Sequence, residues 1–475
     1  MELNFGTVEG LPEAELSQLK WLLYVYNYHK SKNRLKRRYY NGHISLGEVN
    51  LGIALPGNIS KLSIGCSWGK KTVDVLASRS MFDGFVSQNG NETSTMRTIF
   101  TRNRMKAEYQ KACKEELKYG CTFAVVSGDT GNARVRFYSP LCAAALWDDY
   151  NGQIECGFAF RDMRKDESDI NWSPNEVSFF TKTDTWELVK DGHWYANRFP
   201  NRFGRPLMVP LVWDATGDKP FGQSRIQKPI RGLIQGYVRT VANATIGLEF
   251  ATSPQKYLLG VTDEQYDAII NNKFKQYVGS VIASTTNPET GQNPTFGQLS
   301  QGSIEPHVQM LRILATQFSA ASGLTVTDTG VINDANPTSS DAILAQSQSL
   351  VSLAQDLNDA NGDALYQVAQ LAQAIELGTT IDALPDEDKN IVAHFKNPAM
   401  PSVSVTADAA IKIASAREGF AQTDTFLEMI GFDQADIRRV KAQETLVRGQ
   451  RLLDNMDLNT ETEGNSNADN GEGME

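Results

Sequence analysis

The sequence predicts an α+β protein built from several units. Three observations point there. Apolar residues recur at helical spacing in 13–40, 68–83, 94–119, 224–251, 306–323 and 339–375. Short alternating runs cluster between them, over 121–213. Two long helical patterns bracket an insert of about 50 residues, like a stalk carrying a knob. The 475 residues correspond to about three units at roughly 150 each.

The elements follow in order. In 13–40, Leu16, Leu19, Leu22, Leu23, Tyr26 and Tyr28 recur near helical spacing. The distal half is basic (Lys30, Lys32, Arg34, Lys36, Arg37, Arg38), and no acidic residue lies between Glu15 and Glu48. That face is either solvated or meets a polyanion or acidic partner. Helices are predicted over 68–83 and 94–119, with Gly120 as the cap of the second. Strands at 121–127 and 134–138 flank the turn residues of 128–132, a hairpin pattern. Further strands are predicted at 143–148, 155–163, 176–182, 185–190 and 207–213.

Beyond Gly222 the pattern turns helical. Ile230, Leu233, Ile234, Tyr237, Val238, Val241 and Leu248 share one side of 224–251, and Pro254 ends the run. The insert 255–303 carries turn signals at Pro288 and Pro294. A second helix starts at Pro306, suited to a first helical position, and stops at Gly323. A polar loop covers 325–338. The next helix runs through 339–375, with a kink expected at the poor helix formers Asn361-Gly-Asp363. A short strand is expected at 403–405, then helices to 453.

Charge is uneven. The net value is −10, and seven acidic residues with no basic one lie from Leu452 to the end. The tail from about residue 459 lacks aromatic residues and is expected to be disordered. The segment 313–388 contains no Lys, Arg or His and eleven acidic residues. Such a surface is either simply solvated or built so as not to grip a polyanion. Basic contacts would hold DNA, which carries a charge every ~1.7 Å, and an acidic wall would let it slide.

Catalytic signatures are poor. Gly69-Lys-Lys71 lacks the upstream glycine and the following Ser or Thr of a phosphate loop. There is no HExxH and no GxSxG. His29, His43, His193, His307 and His394 are far apart in sequence. Cys66, Cys113, Cys121, Cys142 and Cys156 are odd in number and irregularly spaced, which fits buried apolar residues better than disulfides or a zinc site. Trp147-Asp-Asp149 offers paired carboxylates, but neighbouring strand residues point to opposite faces, so a turn fits better. No membrane-length apolar run and no signal peptide are readable, so folding in a cytosol is expected.

Several segments, in order, resemble one family. They are Arg38-Tyr-Tyr-Asn-Gly42, Lys70-Lys-Thr-Val-Asp-Val-Leu-Ala-Ser-Arg79 with Gly84-Phe85, Leu117-Lys-Tyr-Gly-Cys-Thr-Phe123, Tyr138-Ser-Pro140, Pro220-Phe-Gly-Gln-Ser-Arg-Ile226 and Pro337-Thr-Ser-Ser-Asp-Ala342. Together with the helix–insert–helix layout they resemble the portal proteins of tailed bacteriophages, over about residues 20–450.

The resemblance implies a portal fold with an α/β wing (1–222, completed by 339–400), a helical stem (223–251 and 305–324), a small mixed clip (252–304), a tunnel loop (325–338), a helical crown (401–453) and an acidic tail (454–475). It implies a ring of about twelve subunits at one capsid vertex, the passage for double-stranded DNA in packaging and ejection. It implies assembly in the host bacterial cytoplasm and a final place in the virion. Implied partners are the packaging ATPase (terminase large subunit), the major capsid protein and scaffold, and a head–tail adaptor. No cofactor, metal, membrane or catalytic activity is implied.

Thr327, Asp328, Asn333, Asp334 and Asn336 are then expected along the DNA path. Arg225, Lys228, Arg231 and Arg239 on the first stem helix are expected to meet acidic groups of a neighbour or the capsid, or to face DNA. Another virion morphogenesis or capsid-associated structural protein is the alternative. A hydrolase using Asp148 or Asp149 is a weaker rival.

Overall fold

The computed structural model describes residues 5–44, 64–87, 94–162, 174–252, 256–260, 303–330, 340–399, 403–417, 419–432 and 434–465, with scattered positions in 264–298. The chain divides into two units, Met1–His394 and Phe395–Glu475.

The first unit begins with β1 (Val8–Glu9), α1 (Glu13–Tyr40), α2 (Trp68–Arg79), β2 (Phe82–Ser87), α3 (Ser94–Arg102) and α4 (Met105–Tyr119). Eight strands follow: β3 (Cys121–Asp129), β4 (Asn132–Tyr138), β5 (Ala143–Asp148), β6 (Gln153–Phe160), β7 (Glu176–Phe180), β8 (Asp184–Asp191), β9 (His193–Pro200) and β10 (Met208–Val212). Then come α5 (Lys228–Thr252), β11 (Lys256–Leu259), β12 (Thr295–Gln298), α6 (Glu305–Ser322), α7 (Ser340–Glu376), α8 (Asp386–Lys389) and β13 (Ile391–Phe395).

The strands form a six-stranded sheet in the order β1-β9-β8-β7-β6-β5 and a three-stranded sheet β10-β3-β4. Two ladders, β11-β12 and β13-β2, complete the set. All pairs of the large sheet are antiparallel except β1 with β9, where Val8 sits opposite Trp194.

Alternation explains the packing. Phe158, Phe160, Val177, Phe179, Trp186 and Leu188 point to one face, which α1 covers with Leu19, Leu22, Leu23 and Tyr26. The Tyr26 ring meets Phe158 and Phe160 edge-on at 5.7 and 5.4 Å, and its hydroxyl donates to the Leu141 carbonyl at 2.8 Å. The other face, at the β5–β6 end, meets the small sheet through Ala143, Ala145, Ile154, Phe123, Val125 and Met208. Helix α7 lies against the small sheet.

Several expectations change here. The helix expected over 94–119 is two helices, because Arg104 adopts a left-handed conformation with φ +51°. The helix expected over 68–83 stops at Arg79, and Phe82 starts a strand with its side chain buried. Strands β1, β9 and β13 were not legible. The long helix passes unbroken through Asn361-Gly-Asp363. There the Asn361 side chain is fully buried and donates to Glu116 Oε2 at 2.9 Å and the Tyr109 hydroxyl at 3.0 Å. It is placed for that polar contact, which local propensity does not register.

The five cysteines are free and buried, as their irregular spacing suggested. Among the described residues no helix is long and apolar enough to cross a membrane.

The second unit holds α9 (Val403–Ala416), α10 (Asp424–Ile430) and α11 (Gln434–Asn465). The strand expected at 403–405 is instead the first turn of α9. Five alanines in 406–416 favour the helix, which propagates back over the two valines. The Thr423 hydroxyl caps α10 by accepting from the Phe426 amide, and Lys441 of α11 pairs with Asp424 at 2.5 Å. The tail expected to be disordered from about residue 459 is helical to Asn465, since Leu452, Leu453, Met456 and Glu461 are good helix formers. Residues 466–475 lie outside the described residues.

Candidate functional site at the base of the paired helices

Helices α5 and α6 pair antiparallel. Arg225, just before α5, reaches Ser322 at the end of α6, while Gly236 faces Leu314. Gly323 ends α6 in the left-handed conformation. The base of this pair is locked to the body of the first unit, and the lock is built from the segments singled out in the sequence.

The chain enters β3 through Gly120 at φ +112° and leaves the small sheet through Gly222 at φ +65°. The Gly120 carbonyl accepts from the Trp213 amide at 2.9 Å, and the Gln223 amide donates to the Trp213 carbonyl at 3.0 Å. Phe221 packs edge-on to Phe123 and Trp147 at 5.9 and 5.8 Å. The Ser224 hydroxyl donates to the Lys118 carbonyl at 2.6 Å and accepts from the Ile226 amide. The Arg225 amide donates to the Leu117 carbonyl at 2.9 Å. Both α4's end and α5's approach are therefore satisfied by each other.

The Arg225 guanidinium joins three segments. Nε donates to the Thr72 carbonyl on α2 at 2.8 Å, and Nη2 donates to the Ser322 carbonyl on α6. The group also lies 5.5 Å from the centre of the Trp213 ring. Burial pulls its pKa down to about 10, so it remains charged near neutrality.

Trp68 at the start of α2 fills the centre. Its ring stacks on Phe318 of α6 at 4.6 Å and lies 4.6 Å from Tyr237 of α5. Its indole nitrogen donates to the Thr329 carbonyl at 3.0 Å. Lys71 donates to the Asp328 carbonyl. Gln235 on α5 donates to the Tyr39 hydroxyl of α1.

The residues expected along the DNA path divide accordingly. Val326–Thr329 form a 3-10 turn with a reciprocal cap, in which Asp328 Oδ2 accepts from the Thr325 amide at 3.1 Å and hydroxyl at 2.8 Å. Thr327 is exposed, and Asp328 is half-buried. Asn333, Asp334 and Asn336 lie outside the described residues, as does most of the insert. Lys228 and Arg239 are exposed on α5. Arg225 differs from its expectation, because both backbone carbonyls it serves are in its own chain. Arg231 lies 5.9 Å from the Tyr39 ring centre, with Nε buried and without a hydrogen-bond partner among the described residues. Trp68, Lys71 and Thr72 were not singled out as site residues. The signal for Lys71 and Thr72 was the Lys70–Arg79 motif, while Trp68 lies just before it.

The paired carboxylates behave as turn residues. Asp148 accepts from the Tyr150 and Asn151 amides at 3.1 Å each and from Lys182 at 2.7 Å. Lys182 first, then the Asn151 side chain and backbone amide, hold its carboxyl well below the usual range, a cap rather than a proton acceptor.

A family model described as phage portal protein, SPP1 Gp6-like, matches residues 19–445. The chain belongs to that portal family. Solved structures similar to this portal chain include the neck of a native gene transfer agent particle with C12 symmetry, at TM-score 0.45 and 13% identity, covering 82% of this chain and 93% of that one. The neck of an empty particle with C6 symmetry scores 0.46 at 13% identity, covering 80% and 91%. The virion of the native particle scores 0.43 at 12% identity, covering 82% and 93%. A comparison with curated proteins finds no match. The joint of this portal protein unites four of the motifs that carried the resemblance, and its geometry is that of a structural lock.

Proposed function

We propose that the chain assembles head-to-tail into a ring of about twelve subunits at one capsid vertex, and that the ring is the channel for double-stranded DNA in packaging and ejection. The match to the portal family over residues 19–445 carries this reading. On it, 1–222 with 339–400 form the wing, α5 and α6 the stem, 252–304 the clip, 325–338 the tunnel loop and 401–453 the crown.

The charge gap supports a DNA passage. The segment without Lys, Arg or His begins inside α6, passes through the anchored turn and continues along α7. A ring would repeat Asp328 and Asp334 into roughly two dozen carboxylates around the path. Phosphates would be repelled there rather than held, so DNA could move. The cross-braced base supports the same reading, because it keeps the helical pair from swinging against the body. Exposed Lys228 and Arg239 are the basic positions left for a neighbour, the capsid or DNA.

Without a nucleotide-binding motif in the sequence, translocation energy comes from a separate packaging ATPase docked on the clip, and the ring also serves as the platform for the head–tail adaptor. Native mass spectrometry of the purified chain, with class averages of the same sample, tests the proposal. A ring of about twelve copies with an axial hole is expected. A closed dimer or trimer at high concentration would overturn it.

A further inference from the structure

A cleft of about 970 Å³ lies between the small sheet and the large one, away from the joint. Four arginines line it: Arg134 and Arg136 on β4, Arg161 after β6, and Arg202 after β9. Arg161 is engaged by Glu187 at 2.6 Å. Arg134, Arg136 and Arg202 pair with no carboxylate among the described residues. Arg134 and Arg136 are both exposed, while Ala133 and Val135 between and beside them are buried. The two guanidinium groups therefore leave the same face of the strand, roughly 7 Å apart along it. Arg136 and Arg161 both offset the rise that burial imposes on the Tyr138 hydroxyl, so their charges converge on the cleft.

The lining is not only cationic. Phe180, Phe199, Phe203, Leu207 and Ile375 contribute apolar surface, and Phe199 is 49% exposed. The Thr185 hydroxyl oxygen on the same wall is buried without a hydrogen-bond partner among the described residues. A phosphate backbone would use the arginines and leave the apolar wall idle. An extended peptide with carboxylates at alternate positions fits both. Its side chains recur every two residues at the same roughly 7 Å as the arginines, with apolar side chains directed between them. Arginine also recognises carboxylates in bidentate fashion.

We propose that this cleft is a docking site for an extended, acidic and apolar segment of another virion or assembly protein. A second copy of this chain is a poorer source. Among the described residues, the acidic side chains of its own basic-free segment sit on helices and tight turns, such as Asp356, Asp359 and Asp363 on α7 and Asp386 on α8.

The test uses the full-length protein and a fluorescein-labelled heptapeptide alternating Glu and Leu, read by anisotropy. Saturable binding is expected, weakening about tenfold from low to high salt as the charges are screened. The double variant Arg134→Glu, Arg136→Glu is expected to lose at least about tenfold in affinity, and Arg134→Lys, Arg136→Lys less. Arg134 and Arg136 are both exposed, so folding is checked simply by an unchanged melting temperature. Arg97→Glu, exposed on α3 outside the cleft, is the control and should bind as the parent does. No peptide binding, or binding indifferent to the double charge reversal, would overturn the proposal. So would preference for a duplex or single-stranded oligonucleotide lost in the same variant. A change in the chain's own oligomeric mass in that variant would assign the cleft to a second copy and overturn the source.

Discussion

Gly120 and Gly222 face one another across the joint. A Cβ on Gly222 would lie 3.0 Å from the Gly120 carbonyl oxygen, 2.7 Å from Val212 Cγ1 and closer still to the Trp213 carbonyl oxygen. A Cβ on Gly120 would in turn meet the backbone of Gln223 at 3.2 Å. Two backbones thus pass at a distance that leaves no room for side chains, and both residues hold positive φ. Gly222→Ala is expected to cost well over about 1 kcal/mol, since strain and a backbone clash add. Gly217→Ala, which would meet nothing within 4 Å, should melt as the parent does. Thermal unfolding of the two variants checks the contrast.

Arg225, Lys228 and Arg239 should not respond alike. Arg225→Lys keeps the charge but cannot reach the Thr72 and Ser322 carbonyls together, so one of the two bonds that join α2 and α6 through this residue is lost. A loss of about 1–3 kcal/mol is expected from denaturant unfolding. Lys228→Ala and Arg239→Ala, both exposed, should stay within about 0.5 kcal/mol. On the ring proposal, their effect appears in assembly or DNA retention instead. Equal destabilisation by all three would contradict the placement of Arg225.

Glu116 makes stability depend on pH. Burial raises its carboxyl from 4.5 to about 8, although the Asn361 amide partly opposes this. Between those values the folded chain holds a proton that the unfolded chain has released. Folding stability from this group is therefore greatest below about pH 4.5 and declines as pH rises toward 8. Glu116→Gln keeps the shape and an acceptor for Asn361 without the charge. Its melting temperature should gain on the parent progressively as pH rises toward 8, the folded value of the carboxyl. Parallel profiles for the two proteins would show that Glu116 is not held protonated.

The turn Val326–Thr329 and the residues after it should separate by function. The turn is tied to α2 through Trp68 and Lys71. Deleting 331–338 alone spares those bonds, so on the ring proposal rings should form with an unchanged number of subunits while packaging or genome retention falls. Normal packaging by such rings would remove the loop from the DNA path.

The helical pair, the strand-rich block and the basic-free stretch were all legible, because each rests on a local or compositional pattern. Leu314 and Phe318, and likewise Ile230 and Ile234, repeat at helical spacing whatever lies beside them. Strand β9 was not legible, since its burial is confined to Trp194 near one end and the exposed residues beyond it, Asn197 to Pro200, show no apolar–polar alternation. The interruption expected at Asn361 failed for the opposite reason. Its side chain is chosen by Glu116 and Tyr109, which are some 245 and 252 residues away in sequence.

The sequence by itself determined the α+β class, the order of the segments, the buried free cysteines and, through its motifs, the portal family. Periodicity and composition are properties of neighbours along the chain, so one sequence suffices to read them. What each motif is for was decided only by the tertiary structure. Trp68 and Thr72, Gly120, and Gly222 with Arg225 come from three segments distant in sequence and meet at one joint, where the Thr72 carbonyl on α2 and the Ser322 carbonyl at the end of α6 take two arms of one guanidinium. Arg225 reads from sequence as one basic residue among four on a helix approach. Burial between three segments makes it a brace, and leaves Lys228 and Arg239 as the positions open to a partner.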